Sequence, residues 1–181
     1  MGKRLPYILS SKVKLYDIIL VSKDSFVSNA IKGDAQWFTK SSYNHVAGAA
    51  INPVNNKMEW FEAINEGLVF SPLSKYCNEA IVRDQKIKFV SHRRYLGDFT
   101  LDQRGPMNIR VRQLVGKGYD FLGLAIGLPL KIIFKLKKLF IKTPHRWVCS
   151  STWAEIYKAG NIKLCPGIPI KATTPEDLNK S

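Results

Sequence analysis

Residues 46–63 read VAGAAINPVNNKMEWFEA, two apolar stretches with Asn52-Pro53-Val54-Asn55-Asn56 between them. Asn tolerates left-handed backbone angles and Pro fixes its own φ, so the centre of this stretch is turn chemistry. Val46–Ile51 therefore reads as one strand and Lys57–Ala63 as the return strand of a hairpin. Upstream, Asp17–Ser22 (DIILVS) is a short run rich in β-branched residues, as a buried strand requires. Downstream, Glu66-Gly67 offers a turn before Leu68-Val69-Phe70, and Ile87–Ser91 (IKFVS) is a further strand. The second half changes character. Asn108–Leu114 has helical potential, which Gly116-Lys117-Gly118 would end, and Phe121–Gly127 is apolar. Cys149–Ala159 (CSSTWAEIYKA) has Ser and Thr in its first turn, Trp153, Ile156 and Tyr157 at helical spacing, and Gly160 as a stop. Strands first and helices later predict an α+β protein rather than a repeated βαβ plan.

The chain has 181 residues, which fits one domain over residues 1–181 and is enough to bury a sizeable core. Hydrophobic residues make up 45% and charged residues 23%, values that exclude wholesale disorder. Lys plus Arg number 28 against 14 Asp plus Glu, a formal charge of +14. That charge predicts attraction to an anion: nucleic acid, an anionic membrane face or an acidic cell-wall polymer. A solvated basic surface explains it equally well, and composition does not choose. Three cysteines at irregular spacing cannot all pair, so at least one thiol is free and a secreted disulfide scaffold is not expected. Met1-Gly2-Lys3-Arg4-Leu5-Pro6 leads into no long apolar run, so no secretory signal is expected. The expected compartment is the cytoplasm, though a phage or viral product could reach a cell wall without such a signal. Pro6 breaks the myristoylation pattern, and no P-loop or GxGxxG is present, so no cofactor is expected.

Three residues carry candidate chemistry. His45 begins the strand of Val46–Ile51, and Glu62 lies on the return strand, where the hairpin can bring it to the imidazole. Cys149 opens the helix that ends near Gly160. A thiol there gains from the positive end of the helix dipole, and the unpaired N–H groups of the first turn could hold an oxyanion. Cysteine, histidine and carboxylate in these places form a workable acyl-transfer site. The residue types alone leave open a plainer account, in which a small packed thiol, an ordinary histidine and an edge-strand carboxylate have no joint role. Other candidates are weaker. His145 lies four residues before Cys149 without a second pair to complete a metal site, so no metal is expected. Cys77 and Cys165 have no nearby histidine and read as buried. His92, beside Arg93 and Arg94, reads as a surface residue.

The order of short segments adds specificity. Tyr16-Asp17-Ile18-Ile19-Leu20, Ser42-Tyr43-Asn44-His45-Val46, Glu62-Ala63, Gly118-Tyr119-Asp120, Val148-Cys149-Ser150 and Thr174-Pro175-Glu176-Asp177-Leu178 follow one another along the chain. Together they resemble the circularly permuted branch of the NlpC/P60 papain-like superfamily, the YiiX/YaeF-like enzymes related to lecithin–retinol acyltransferase. The resemblance implies an α+β papain-like fold of permuted topology, with an antiparallel sheet first and the cysteine helix late. It implies Cys149 as nucleophile, His45 as general base, Glu62 as the residue orienting the ring, and Tyr119 near the cysteine, positioning substrate; packing beside Phe121 is the plainer role for Tyr119. Two positions depart from the family pattern: Tyr16 stands where Gly is usual, and Val46-Ala47-Gly48 replaces Val-Gly-Ile.

Leu128–Lys142 (LPLKIIFKLKKLFIK) places Lys131, Lys135, Lys138 and Lys142 on one narrow helical stripe beside a wide apolar arc. That composition suits a helix lying in an anionic membrane interface, and equally an amphipathic helix covering the core. It is too short and too charged to span. The expected function is a cysteine hydrolase, of the thiol peptidase or amidase kind, cleaving an amide or ester through an acyl-enzyme. Expected substrates are peptidoglycan-type peptides or lipid-linked amides. The rivals are a lipid acyltransferase and a non-catalytic basic protein binding membrane or nucleic acid on the same scaffold, with nucleic acid the less favoured partner.

Overall fold

The computed structural model describes residues 7–23, 43–118 and 148–180. Five strands form one antiparallel sheet: β1 (Ile18–Lys23), β2 (His45–Ile51), β3 (Met58–Ile64), β4 (Gly67–Ser71) and β5 (Ile87–Arg93), in the spatial order β4-β3-β2-β1-β5. The helices are α1 (Ser74–Cys77), α2 (Glu79–Asp84), α3 (Leu101–Leu114), α4 (Cys149–Ala159) and α5 (Pro175–Lys180). The architecture is α+β. Among the described residues no helix is long and apolar enough to cross a membrane.

The hairpin forms as its turn residues dictate. The Asn52 N–H donates to the Lys57 carbonyl at 2.9 Å, the Asn52 side chain accepts from the Val54 N–H at 3.0 Å, and Asn56 takes a positive φ of 56°. The strand alternation then sorts residues onto two buried faces. Ile18, Leu20, Val46, Ala50, Phe61 and Ala63 pack beneath α3 and α4, whereas Ile19, Val21, Ala47, Ala49 and Trp60 pack against Ile8, Val13, Tyr76 and Val82. Both faces are covered, which is why β1 is a continuous apolar run.

On the helical side, α3 contributes Met107, Val111 and Leu114, and α4 contributes Trp153, Ile156 and Tyr157. Trp153 lies so close to β2 that a Cβ added to Gly48 would meet its ring carbons at 2.3 Å. The glycine is what lets the indole reach the sheet, where its N–H donates to the Phe61 carbonyl at 3.1 Å. Helix α3 starts seven residues before the expected Asn108. Thr100 and Gln103 form a capping box that nucleates it, and Pro106 is accommodated inside it. Helices α1 and α2 were not foreseeable from periodicity, being four and six residues long. At the chain's end, Thr174 and Asp177 cap α5 reciprocally, and Leu178 is buried in the core.

Candidate active site

His45 is the first residue of β2, and its ring Nε2 lies 2.7 Å from Glu62 Oε2. The hairpin register explains the meeting. Glu62 pairs with Ala47, so its side chain shares a face with His45, two residues along the same strand. Glu62 is completely buried, and its oxygens are fully engaged. Oε2 also accepts from the Tyr76 hydroxyl at 2.8 Å, and Oε1 accepts from Lys75 Nζ at 2.5 Å. Burial by itself would push this carboxyl up. The hydrogen bonds and charges of His45 and Lys75 outweigh it and hold Glu62 ionised, well below the usual carboxylate range. Tyr76 is pushed well above its ordinary value by burial and by the Glu62 charge, so it serves as a donor.

With Nε2 committed to Glu62, Nδ1 is the ring nitrogen left for Cys149, whose side chain lies near enough to act on the imidazole. Burial disfavours the imidazolium, but the contacts with Cys149 and Glu62 override it and bring the ring up to about 9. The Cys149 residue is 5% exposed and the His45 side chain 19%, so the imidazole is the more solvent-accessible of the two.

Cys149 is the first residue of α4, behind an extended Val148 that provides no side-chain cap. The hydroxyls of the first turn point backwards. Ser151 and Thr152 donate to the Val148 carbonyl at 3.1 and 2.8 Å, and Ser150 donates to the Thr173 carbonyl at 2.5 Å. The first-turn N–H groups therefore have no side chain capping them, and they carry the positive end of the helix dipole.

The three residues singled out from the sequence are thus brought together. Tyr119, His145 and the lysines Lys131, Lys135, Lys138 and Lys142 lie outside the described residues. Cys77 and Cys165 are partly buried, and burial pushes both thiols up to about 11, helped at Cys165 by Asp177. His92 differs from its reading as a surface residue: its Nε2 lies 2.7 Å from buried Asp17, which Arg94 also grips through two nitrogens at 2.8 and 2.7 Å. Lys75 and Tyr76 escaped sequence reading because nothing in Ser74-Lys75-Tyr76-Cys77 announces the single helical turn that aims them at Glu62.

Fold and site together define an α+β protein whose antiparallel sheet presents a histidine–glutamate pair to a cysteine at a helix start. No family model and no curated protein matches the chain. Among solved structures it is similar to the crystal structure of the metalloprotein YiiX from Escherichia coli O157:H7. That likeness is 19% identical in sequence with a TM-score of 0.65, and it covers 94% of this chain and 93% of that one. At this identity it is a likeness of fold. Among the described residues no group of three or more His, Cys, Asp or Glu is placed to hold a metal ion, and both Glu62 oxygens are hydrogen-bonded.

Proposed function

We propose that this chain is a cysteine hydrolase of the permuted papain-like kind, cleaving an amide or ester through a Cys149 acyl-enzyme. The observation that carries the reading is the 2.7 Å His45–Glu62 pair, with Cys149 at the start of α4 near enough to act on the imidazole. His45 Nδ1 takes the thiol proton as sulfur attacks the carbonyl carbon, and the N–H groups of the first turn of α4 stabilise the oxyanion. The imidazolium returns its proton to the leaving amine or alcohol. Water, deprotonated by the same ring, then releases the acid and frees the thiol. Glu62 keeps Nε2 protonated and the ring aimed. The histidine strand precedes the cysteine helix, which supports a permuted order, and the YiiX likeness supports the scaffold at the level of fold. Peptidoglycan-type peptides and lipid-linked amides or esters are the substrate classes that the net charge of +14 suits, through an anionic wall polymer or membrane.

The test is alkylation with iodoacetamide across pH, read at each cysteine by peptide mass spectrometry. Cys149 is expected to react fastest near neutral pH and to lose its lead in His45→Ala, while Cys77 and Cys165 stay slow. Equal rates at all three thiols in the wild type sink the enzyme reading and leave a basic binding protein. With candidate substrates in hand, hydrolysis should vanish in Cys149→Ser, and transfer to an added alcohol or amine instead of water would mark a transferase.

A further inference from the structure

Glu62 is held from two sides, and only one of them belongs to the proposed mechanism. On the Oε2 side stand His45 and Tyr76; on the Oε1 side stands Lys75 alone. Lys75 reaches inward from α1 with a side chain 22% exposed, and its Nζ also meets Ser71 Oγ at 3.4 Å. Its other close neighbour is the Tyr76 ring, 5.4 Å to the centroid. Among the described residues the ammonium thus pairs with one charged group, Glu62, and that group faces the imidazole. Counted outward from the thiol, the groups form the row Cys149, His45, Glu62, Lys75, in which the charges alternate and cancel once the proton has passed from sulfur to the ring.

Resting on the hydrolase reading, we infer that Lys75 is a positioning residue of the site: by holding Oε1 and neutralising Glu62, it sets the pH range in which the thiolate–imidazolium pair exists. Without the ammonium, the same pair lies against an uncompensated buried carboxylate. The added negative potential makes the thiol harder to ionise and the imidazolium harder to discharge. Both limbs of the pH dependence then move upward together. The groups that face this row from the packed elements are Tyr76 from α1, Ser71 from β4 and the dipole of α4. Among the described residues none of these supplies a second full cation to replace Lys75.

The experiment is iodoacetamide alkylation of Cys149 in the full chain from pH 5 to 10, which requires no substrate. Wild type, Lys75→Met and Lys75→Arg are compared, with folding checked by circular dichroism. Lys75→Met should move the alkylation midpoint up by about one pH unit, the scale of one charge acting across a carboxylate. Lys75→Arg should restore it to near the wild-type value. A midpoint left in place by Lys75→Met, however much the rate or melting temperature falls, overturns the inference and makes Lys75 a structural ion-pair partner. If Lys75→Met does not fold, Lys75→Gln decides by the same criterion. A chain that folds with neither neutral side chain assigns Lys75 to folding and also overturns the inference. Failure of the hydrolase reading is seen separately, in the wild type alone, when Cys149 shows no lead over Cys77 and Cys165.

Discussion

Replacing Gly48 by Ala adds one methyl group at the point where α4 meets the sheet, and the structure fixes the cost. The new Cβ would lie 2.3 Å from two ring carbons of Trp153 and 2.7 Å from a third. Ordinary contact needs more than a further ångström, and Trp153 is fully buried, so the ring has no free space to enter. Overpacking of this kind costs about 1–3 kcal/mol. Retreat of the indole also stretches its 3.1 Å bond to the Phe61 carbonyl, and a buried donor left unpaired adds about 1–3 kcal/mol. We expect a total near 3 kcal/mol, against the 5–15 kcal/mol typical of whole domains. Urea unfolding is the assay, and the midpoint should fall with the slope unchanged. Trp153 stands one turn after Cys149 on α4, so alkylation of Cys149 should slow as well. Gly118→Ala is the control: apart from its chain neighbours nothing lies within 4 Å of the added methyl and its φ is not positive, so the midpoint should barely move. The reasoning is refuted if Gly48→Ala shifts stability by less than about 0.5 kcal/mol. It is refuted equally if the loss is undiminished in a Trp153→Phe background, because clashing neighbours must couple.

Two further expectations concern pH. Burial alone would raise the Asp17 carboxyl, but Arg94, His92 and the Lys14 N–H bring it down to about 2. Its contribution, about 2 kcal/mol by linkage, is present above pH 3.8 and lost as pH falls through 2. Melting temperature between pH 2 and 5 should therefore fall less steeply in Asp17→Asn than in wild type, and parallel curves would contradict the assignment. His45 works in the opposite direction. Raised from 6.5 to about 9, it adds stability that is complete below pH 6.5 and lost as pH rises through 9, at most about 3 kcal/mol. Urea midpoints at pH 6 and 9.5 should converge in His45→Gln, and an unchanged gap would place the alkaline loss elsewhere.

The hairpin that joins His45 to Glu62 was legible because both residues flank one turn and the strand period is two. Helix α4 was legible to the residue, since Trp153, Ile156 and Tyr157 mark its buried stripe and Gly160 its end. Other features are set by tertiary contacts that no local pattern reveals. Gly105-Pro106 masked the first half of α3, although Thr100 and Gln103 carried its start signal. His92, beside two arginines, reads in the sequence as a surface residue. The pleat sends His92 and Arg94 to the same side, and both converge on Asp17, the residue just before β1. Tyr16, the departure from the expected glycine, does adopt a glycine-like φ of 67°. Such a backbone costs a non-glycine residue about 1 kcal/mol, and here its N–H donates to the Ala49 carbonyl while its own carbonyl accepts from the Tyr157 hydroxyl. The ring fills the core beside Phe99, which a glycine could not do.

The molecule contains its own control for the candidate site. At one end of β1, His92 meets buried Asp17 at 2.7 Å; near the other, His45 meets buried Glu62 at the same distance. Each carboxylate carries a second cation, Arg94 in one case and Lys75 in the other. A histidine–carboxylate pair with a basic partner is therefore not by itself a mark of catalysis in this fold. Two differences separate them. Arg94 grips both oxygens of Asp17 in a fork and ties down the 3-10 turn Ser10–Lys12 through the Lys12 carbonyl, the geometry of a fastening. Lys75 touches a single oxygen of Glu62 as a point charge, and the ring beyond that carboxylate has a thiol at a helix start near enough to act on it. In the proposed hydrolase it is the sulfur that would convert an ion pair into a reaction centre, so the weight of the functional reading falls on Cys149 rather than on the histidine.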